Sequence, residues 1–138
     1  MLLIADTNIL FAATLKDSTT RKILLTAPID FIVPDYVFQE LNEHIDELCE
    51  KNGLTREANY EIIGILRDHV GILKSMDIIE ATNEAIDIMK NVDLDDVPIV
   101  AAALSVQNDG IWSEDPHLRK QSHVKVWRTR DLLHFLSL

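Results

Sequence analysis

Short apolar segments alternate with longer amphipathic segments, and this alternation limits the folds open to the chain more than any other feature. The apolar segments predict five strands, at residues 2–5, 29–33, 72–75, 110–112 and 124–127. Between most of them, apolar residues recur at the spacing of one helix face. Strands that alternate with helices are joined by right-handed crossovers, which give a parallel sheet with helices on both faces. The sequence therefore predicts an α/β fold of three layers, α/β/α, around about five parallel strands.

Capping residues and helix breakers predict where the helices begin and end. A turn and N-cap at Asp17, Ser18 and Thr19 begin a helix over residues 20–27. One long helix is predicted over residues 35–53, and its buried stripe is Val37, Leu41, Ile45 and Leu48. Further helices are predicted after a cap at Thr55, over residues 77–90 and 96–107, and after a cap at Thr129.

Length and composition indicate what class of protein this is. A chain of 138 residues predicts one domain, residues 1–138, with a single core. The only cysteine, Cys49, excludes an internal disulfide framework and is typical of a reducing compartment. The N-terminus turns polar at Asp6, so we expect neither a signal peptide nor an anchor, and the longest apolar run is too short to cross a membrane. These features predict a cytoplasmic protein.

The net charge of −10 argues against a broad basic surface for nucleic acid. It does not exclude a nucleic-acid enzyme whose metal ions neutralise phosphate locally. Such an enzyme would bind the polymer weakly with the help of metal, or would use basic residues supplied by a partner. The one cationic stretch, residues 117–130, lies directly after Asp115.

Four acidic positions fall where the predicted sheet would bring them together. Asp6 ends the first strand, Glu40 lies in the helix after the second, the pair Asp95–Asp96 opens a helix, and Asp115 follows the fourth strand. Ligands of open α/β sheets bind beyond the carboxyl ends of the strands. Carboxylates gathered at one edge repel each other unless a hard cation such as Mg²⁺ or Mn²⁺ lies between them. The four positions together predict a metal site.

Each acid also has a purely structural interpretation. Asp6 can be the N-cap of the next helix, and Asp115 can belong to a polar turn. Glu40 lies at the border of a buried helix face. Asp93, Asp95 and Asp96 precede a helix and complement its dipole, so one or two of them need no further role, although three acids exceed what one cap uses. Asp96 is the better ligand candidate, and Asp95 is either a cap or a second ligand.

Other kinds of site fit the sequence less well. The five histidines show no metal-ligand spacing, although His117 and His123 flank the predicted site and are candidates for contacts to substrate. The chain has no P-loop and no GxGxxG motif. A response-regulator receiver would place an acidic pair near the first strand and a lysine after the fifth, whereas Arg128 follows the fifth strand here.

The order of the acidic motifs resembles that of the PIN domain family of metal-dependent ribonucleases. IADTNIL (residues 4–10) is similar to the family's first strand ending in Asp, and VPDYVFQELNEH (33–44) to its helix that carries a Glu. DVPIVAA (96–102) resembles the helix that opens with an Asp, and Ser113-Glu114-Asp115 resembles the strand end T-x-D, with serine in place of threonine. The resemblance spans nearly the whole chain.

The resemblance implies a PIN-like fold and a Mg²⁺- or Mn²⁺-dependent endoribonuclease. It assigns the catalytic, metal-binding acids to Asp6, Glu40, Asp96 and Asp115, with Asn8 and Ser113 as supporting residues. Pro98 and Val100 depart from the third motif and leave the choice between Asp95 and Asp96 open. The implied substrate is single-stranded or looped RNA, and the implied partners are a second copy of the chain and, for a VapC-type toxin, an antitoxin protein. The alternative is a PIN-like module that binds RNA or protein without cleaving it.

Overall fold

The computed structural model describes residues 1–16 and 18–137, and these residues form five strands and nine α-helices. The strands are β1 (Leu2–Ala5), β2 (Asp30–Pro34), β3 (Gly71–Leu73), β4 (Ile111–Trp112) and β5 (Val126–Trp127). The helices are α1 (Thr7–Ala13), α2 (Thr19–Thr26), α3 (Asp35–Glu43), α4 (Ile45–Asn52), α5 (Arg56–Asp68), α6 (Ser75–Ile78), α7 (Thr82–Met89), α8 (Val97–Ser105) and α9 (Thr129–Phe135). Short 3-10 turns lie at Ile79–Ala81, Leu94–Asp96 and Leu118–Lys120.

All five strands are parallel and lie in the order β3-β2-β1-β4-β5. The chain fills one side of β1 with β2 and β3, and later fills the other side with β4 and β5. The carboxyl ends of β1 and β4 therefore flank the point where the strand order reverses, which is where open α/β sheets bind ligands. The predicted three-layer fold with a parallel five-stranded sheet is confirmed.

Successive residues of β1 face opposite sides of the sheet and contribute to two separate parts of the core. Leu3 and Ala5 pack in one cluster with Trp112, while Ile4 packs in the other with Ile111 and the apolar helix α8. Leu3, Ile4 and Ala5 are completely buried, as expected of the central strand of a parallel sheet covered on both faces. The position at which β1 ends is thus fixed by packing on two sides.

The long helix predicted over residues 35–53 is wrong, because it is two helices. α3 ends at Glu43, and α4 begins at Ile45 after a change of backbone direction at His44, whose φ is −103° and ψ is 24°. No proline or glycine marks this break in the sequence. The predicted stripe is nevertheless buried throughout, at Val37, Leu41, Ile45 and Leu48. Packing against the core therefore bends the chain without interrupting the apolar pattern.

The caps follow the sequence in two places and depart from it in a third. Ser18 and Thr55 cap α2 and α5 as predicted, while Asp17 lies outside the described residues. The cap predicted at Thr129 is wrong. Arg128 occupies the N-cap position of α9, and its backbone N–H donates to the carboxylate of Asp131 at 2.9 Å. The hydroxyl of Thr129 instead accepts a hydrogen bond from the indole of Trp112 at 3.1 Å.

The remaining boundaries lie close to their predicted positions. The observed ends of β2 to β5, α2 and α8 differ from the predicted ones by no more than two residues. Residues 77–90, predicted as one or two helices, contain the end of α6, a 3-10 turn and α7. Among the residues that the structure describes, no helix combines the length and apolar character needed to span a bilayer.

A substitution at Gly110, the residue before β4, tests whether stability requires the close approach of β4 and β5. Its φ is +135°, and a Cβ there would lie 2.6 Å from the Lys125 carbonyl oxygen and 2.9 Å from the Trp127 ring. Gly110→Ala should therefore lower the free energy of unfolding by about 2 kcal/mol or more. Gly64→Ala is the matched control, because Gly64 lies in α5 with open space around it. The control should raise stability by about 0.4–1 kcal/mol.

Urea unfolding followed by circular dichroism measures both variants. Equal stabilities of the Gly110→Ala variant and the wild type would contradict the close approach of β5 to β4 at this residue.

Candidate metal centre

β1 ends at Ala5 and is followed by Asp6, an acidic residue with only 8% of its surface exposed. Its Oδ1 accepts the Ile9 backbone N–H at 3.2 Å and caps α1, and its Oδ2 accepts the hydroxyl of Ser113. Burial raises the pKa of Asp6 to about 6, although the bonds from Ser113 and Ile9 lower it and the charge of Asp115 raises it further. The structural interpretation of Asp6 as a cap is thus correct, and it leaves the carboxylate beside other acids.

β4 ends at Trp112 and is followed by Ser113, which is completely buried and joins two of the predicted site residues. Its hydroxyl donates to Asp6 and accepts the backbone N–H of Asp115 at 3.0 Å. The Asp115 carboxylate in turn accepts the backbone N–H of His117 at 2.9 Å. Because Ser113 is both donor and acceptor, it fixes Asp6 and the turn that carries Asp115 relative to each other.

The third group of acids lies where the 3-10 turn at Leu94–Asp96 leads into α8. Asp93 caps this turn, since its Oδ1 accepts the Asp95 backbone N–H at 2.9 Å. The capping role considered for Asp95 therefore belongs to Asp93, and Asp95 is exposed at the rim of the cleft. Asp96 occupies the N-cap position of α8 but makes no capping hydrogen bond. The apolar residues of α8 are buried next to β1 and hold Asp96 at the sheet edge.

Asp96 has a buried carboxylate oxygen, Oδ2, that receives no hydrogen bond from any donor in residues 1–16 and 18–137. Burial raises the pKa of Asp96 well above its ordinary value, and the carboxyl of Asp115 raises it further by lying close enough to share a proton. The negative charges of Asp93 and Asp6 act in the same direction. Only a proton or a cation can offset this concentration of negative charge.

α3 forms the opposite wall of the site. Glu40 is half-buried and lines a cleft of about 180 Å³ together with Asp6, Asn8, Asp95 and Asp96. Asp115 does not line this cleft and instead adjoins it through Ser113 and Asp96. The structure therefore brings Asp6, Glu40 and Asp96 to one cleft and places Asp115 directly beside it.

Tyr36 belongs to the same wall and was not singled out from the sequence. It lines the cleft one helical turn before Glu40. Burial raises the pKa of Tyr36 above its ordinary value, and the charges of Glu40, Asp6 and Asp96 raise it further. The spacing of four residues from Glu40 could have revealed it, because such residues share a helix face.

The spacing of His117 in the sequence does not indicate a metal ligand, yet in the folded chain His117 lies among the acids. Its Nδ1 is 3.2 Å from Oδ2 of Asp93 and 3.2 Å from Oδ1 of Asp115. Potential ligand atoms of Asp93, Asp96 and His117 all lie within 4.8 Å of one another. Residues 93 and 117 are far apart in sequence, so no local pattern could have joined them.

The donor atoms of this site fit a hard divalent cation. They are mostly carboxylate oxygens, which Mg²⁺ and Mn²⁺ prefer. Among the described residues, no lysine or arginine forms an ion pair with Asp6, Glu40, Asp96 or Asp115. The buried Oδ2 of Asp96 is the atom that most needs a cation.

The raised pKa of Asp6 predicts a pH-dependent gain in stability for Asp6→Asn. With EDTA at pH 8, Asp6 is charged in the folded state, and a shift from 3.8 to about 6 costs roughly 3 kcal/mol. Asparagine keeps the cap and removes the charge, so it should raise the free energy of unfolding by about 1–3 kcal/mol at pH 8. The gain should shrink as the pH falls from 6 towards 4, where folded Asp6 becomes protonated.

Thermal unfolding at pH 8 and pH 4 measures this difference. Asp6→Ala is the control, because it removes the charge and the cap of α1 together and should be less stable than Asp6→Asn at both pH values. If Asp6→Asn were less stable than the wild type at pH 8, the charge of Asp6 would not lower the free energy of unfolding, and the prediction would be wrong.

Comparison with known proteins identifies the family of the chain. The family model of the PIN domain matches residues 4–137. A search of curated proteins returns no match. The family match covers nearly the whole chain, including every acid of the cleft, and the chain therefore belongs to the PIN domain family.

Proposed function

We propose that the protein is a Mg²⁺- or Mn²⁺-dependent endoribonuclease. Membership of the PIN domain family supports a nuclease. The observation that carries the metal dependence is the buried Oδ2 of Asp96, which lacks a donor while Asp115, Asp93 and Asp6 surround the carboxyl with negative charge. A divalent cation would bind the Oδ2 of Asp96, offset the negative charge around it and bring an RNA phosphate to the cleft.

In this proposal Asp6, Glu40, Asp96 and Asp115 hold the metal. When bound, the metal supplies an activated water and stabilises the charge of the phosphodiester transition state. Ser113 fixes the orientation of the Asp6 carboxylate. Asn8 is exposed at the cleft and available to substrate.

The proposed substrate is single-stranded or looped RNA. The carboxylate cleft is small and acidic, and such a surface cannot read the groove of a duplex. Arg119 and Lys120 follow His117 and are exposed, as is Arg130 near the start of α9. Arg119 and Lys120 follow Asp115 within a few residues of the chain, and Arg130 follows Thr129, whose backbone N–H donates to Glu114 at 2.6 Å. Cations in these positions could neutralise phosphates of a bound RNA.

The implied partners stay predictions. The predicted helices 55–70 and 77–90 carry apolar residues beyond what one buried face needs, and these are the candidates for a homodimer surface: Ile62, Ile65, Leu66, Ile78, Ile79, Ile86 and Met89. Leu66, Ile78 and Met89 are buried in the core and do not belong to such a surface. Ile79 and Met76 remain 69% and 74% exposed and support pairing of two copies. An antitoxin would present an arginine or lysine to the cleft in competition with metal.

Asp96→Asn and Asp95→Asn form a matched pair that tests the site. Asp96→Asn should lower cleavage of a fluorogenic single-stranded RNA in Mn²⁺ by more than about 100-fold, because direct ligands matter more than their supports. Asp95→Asn should retain most activity, since Asp95 is exposed at the rim. EDTA should abolish cleavage by the wild type.

The opposite pattern, with Asp95→Asn inactive and Asp96→Asn active, would identify Asp95 as the metal ligand and would contradict the role proposed for Asp96. Wild-type protein that binds RNA without cleaving it in Mn²⁺ would favour the non-catalytic module instead.

A further inference from the structure

We propose that His117 is a nitrogen ligand of a cation position that it forms with Asp93 and Asp96 beside the carboxylate cleft. Nothing in the order of the acidic motifs assigns a role to His117 or Asp93. The inference rests on the proposed metal dependence. It goes further by predicting which divalent cation the protein binds more tightly.

Two distances from His117 are close to those between neighbouring ligands of a bound metal. With metal–ligand bonds of about 2.1 Å, two neighbouring ligands of an octahedral ion lie roughly 3.0 Å apart. The Nδ1 of His117 is 3.2 Å from Oδ2 of Asp93 and 3.2 Å from Oδ1 of Asp115. Ligand atoms of Asp93, Asp96 and His117 lie within 4.8 Å of one another. Small side-chain movements would therefore suffice to complete the coordination.

A hydrogen bond to the backbone already holds one of these side chains. The Oδ1 of Asp93 accepts the Asp95 N–H, so its Oδ2 is the oxygen that faces His117. The backbone N–H of His117 donates to the Asp115 carboxylate, which positions the His117 backbone beside the acids. The His117 side chain is 45% exposed, so water can occupy the remaining coordination positions.

The buried Oδ2 of Asp96 separates this group from an ordinary surface pair of histidine and carboxylate. The imidazole of His117 lies close enough to pair with Asp93 and Asp115 without a metal. It leaves the Oδ2 of Asp96 without a donor, since no described residue supplies one. A metal ion held by His117, Asp93 and Asp96 would place a positive charge beside the carboxyl groups of Asp93, Asp96 and Asp115.

A nitrogen ligand changes which cation the centre prefers. Mg²⁺ strongly favours oxygen ligands, whereas imidazole binds well to transition metals. The protein should therefore bind Mn²⁺ more tightly than Mg²⁺ by about tenfold or more, and His117 should account for most of that preference.

Pulsed electron paramagnetic resonance of bound Mn²⁺ tests the ligand directly. Protein labelled with ¹⁵N-histidine and given one equivalent of Mn²⁺ should show the coupling of a directly bound histidine nitrogen. The coupling should be lost in His117→Asn and kept in His123→Asn, a matched control because His123 is exposed and forms no ion pair with a described residue. Calorimetric titrations should show the preference for Mn²⁺ over Mg²⁺ falling about tenfold in His117→Asn only.

The wild-type spectrum decides the proposal even if His117→Asn fails to fold. Bound Mn²⁺ without histidine coupling in the wild type would overturn the role of His117 and leave the proposed metal-dependent nuclease intact. Failure of the wild type to bind Mn²⁺ at all would overturn both. Asp93→Asn provides a second variant and should weaken Mn²⁺ binding, whereas unchanged affinity would remove Asp93 from the position.

Discussion

The hydroxyl of Ser113 links the carboxyl ends of β1 and β4 at the point where the strand order reverses. It donates to Asp6 and accepts the backbone N–H of Asp115, so one buried group sets the position of both acids. The link depends on the register in which Ala5 lies opposite Trp112, because that register brings the two strand ends level. The apolar residues on both faces of β1 hold that register in place.

The same arrangement creates an electrostatic cost in the metal-free protein. Burial raises the pKa of Asp6 and of Asp96, and the neighbouring carboxyl of Asp115 raises both further. A cation bound to such a carboxylate displaces its proton and offsets the cost of its charge. The hydrogen bonds to Asp6 and the packing of α8 keep the acids in place. The acids that would bind the metal therefore lower the stability of the metal-free protein, as expected of a functional site.

The sequence predicts the sheet and most of the acids because both depend on local patterns. Short apolar runs identify the strands, and the parallel arrangement brings the acids at their carboxyl ends to one edge. The break at His44 escapes prediction, since packing imposes it on an uninterrupted apolar stripe. The choice of Asp93 as the cap depends on the backbone of one turn. The approach of His117 to Asp93 joins residues distant in sequence, which only the folded chain brings together.

The central claim is that a divalent cation occupies the space between Asp96 and its acidic neighbours. Crystals grown with Mn²⁺ and measured at a wavelength that maximises its anomalous scattering locate the ion without reference to activity. The account predicts an anomalous peak within bonding distance, about 2.2 Å, of an Asp96 oxygen and of at least one oxygen from Asp6, Glu40 or Asp115. A map from Mn²⁺-containing crystals with no peak at Asp96, and with that carboxyl hydrogen-bonded to Asp115 through a shared proton, would contradict it.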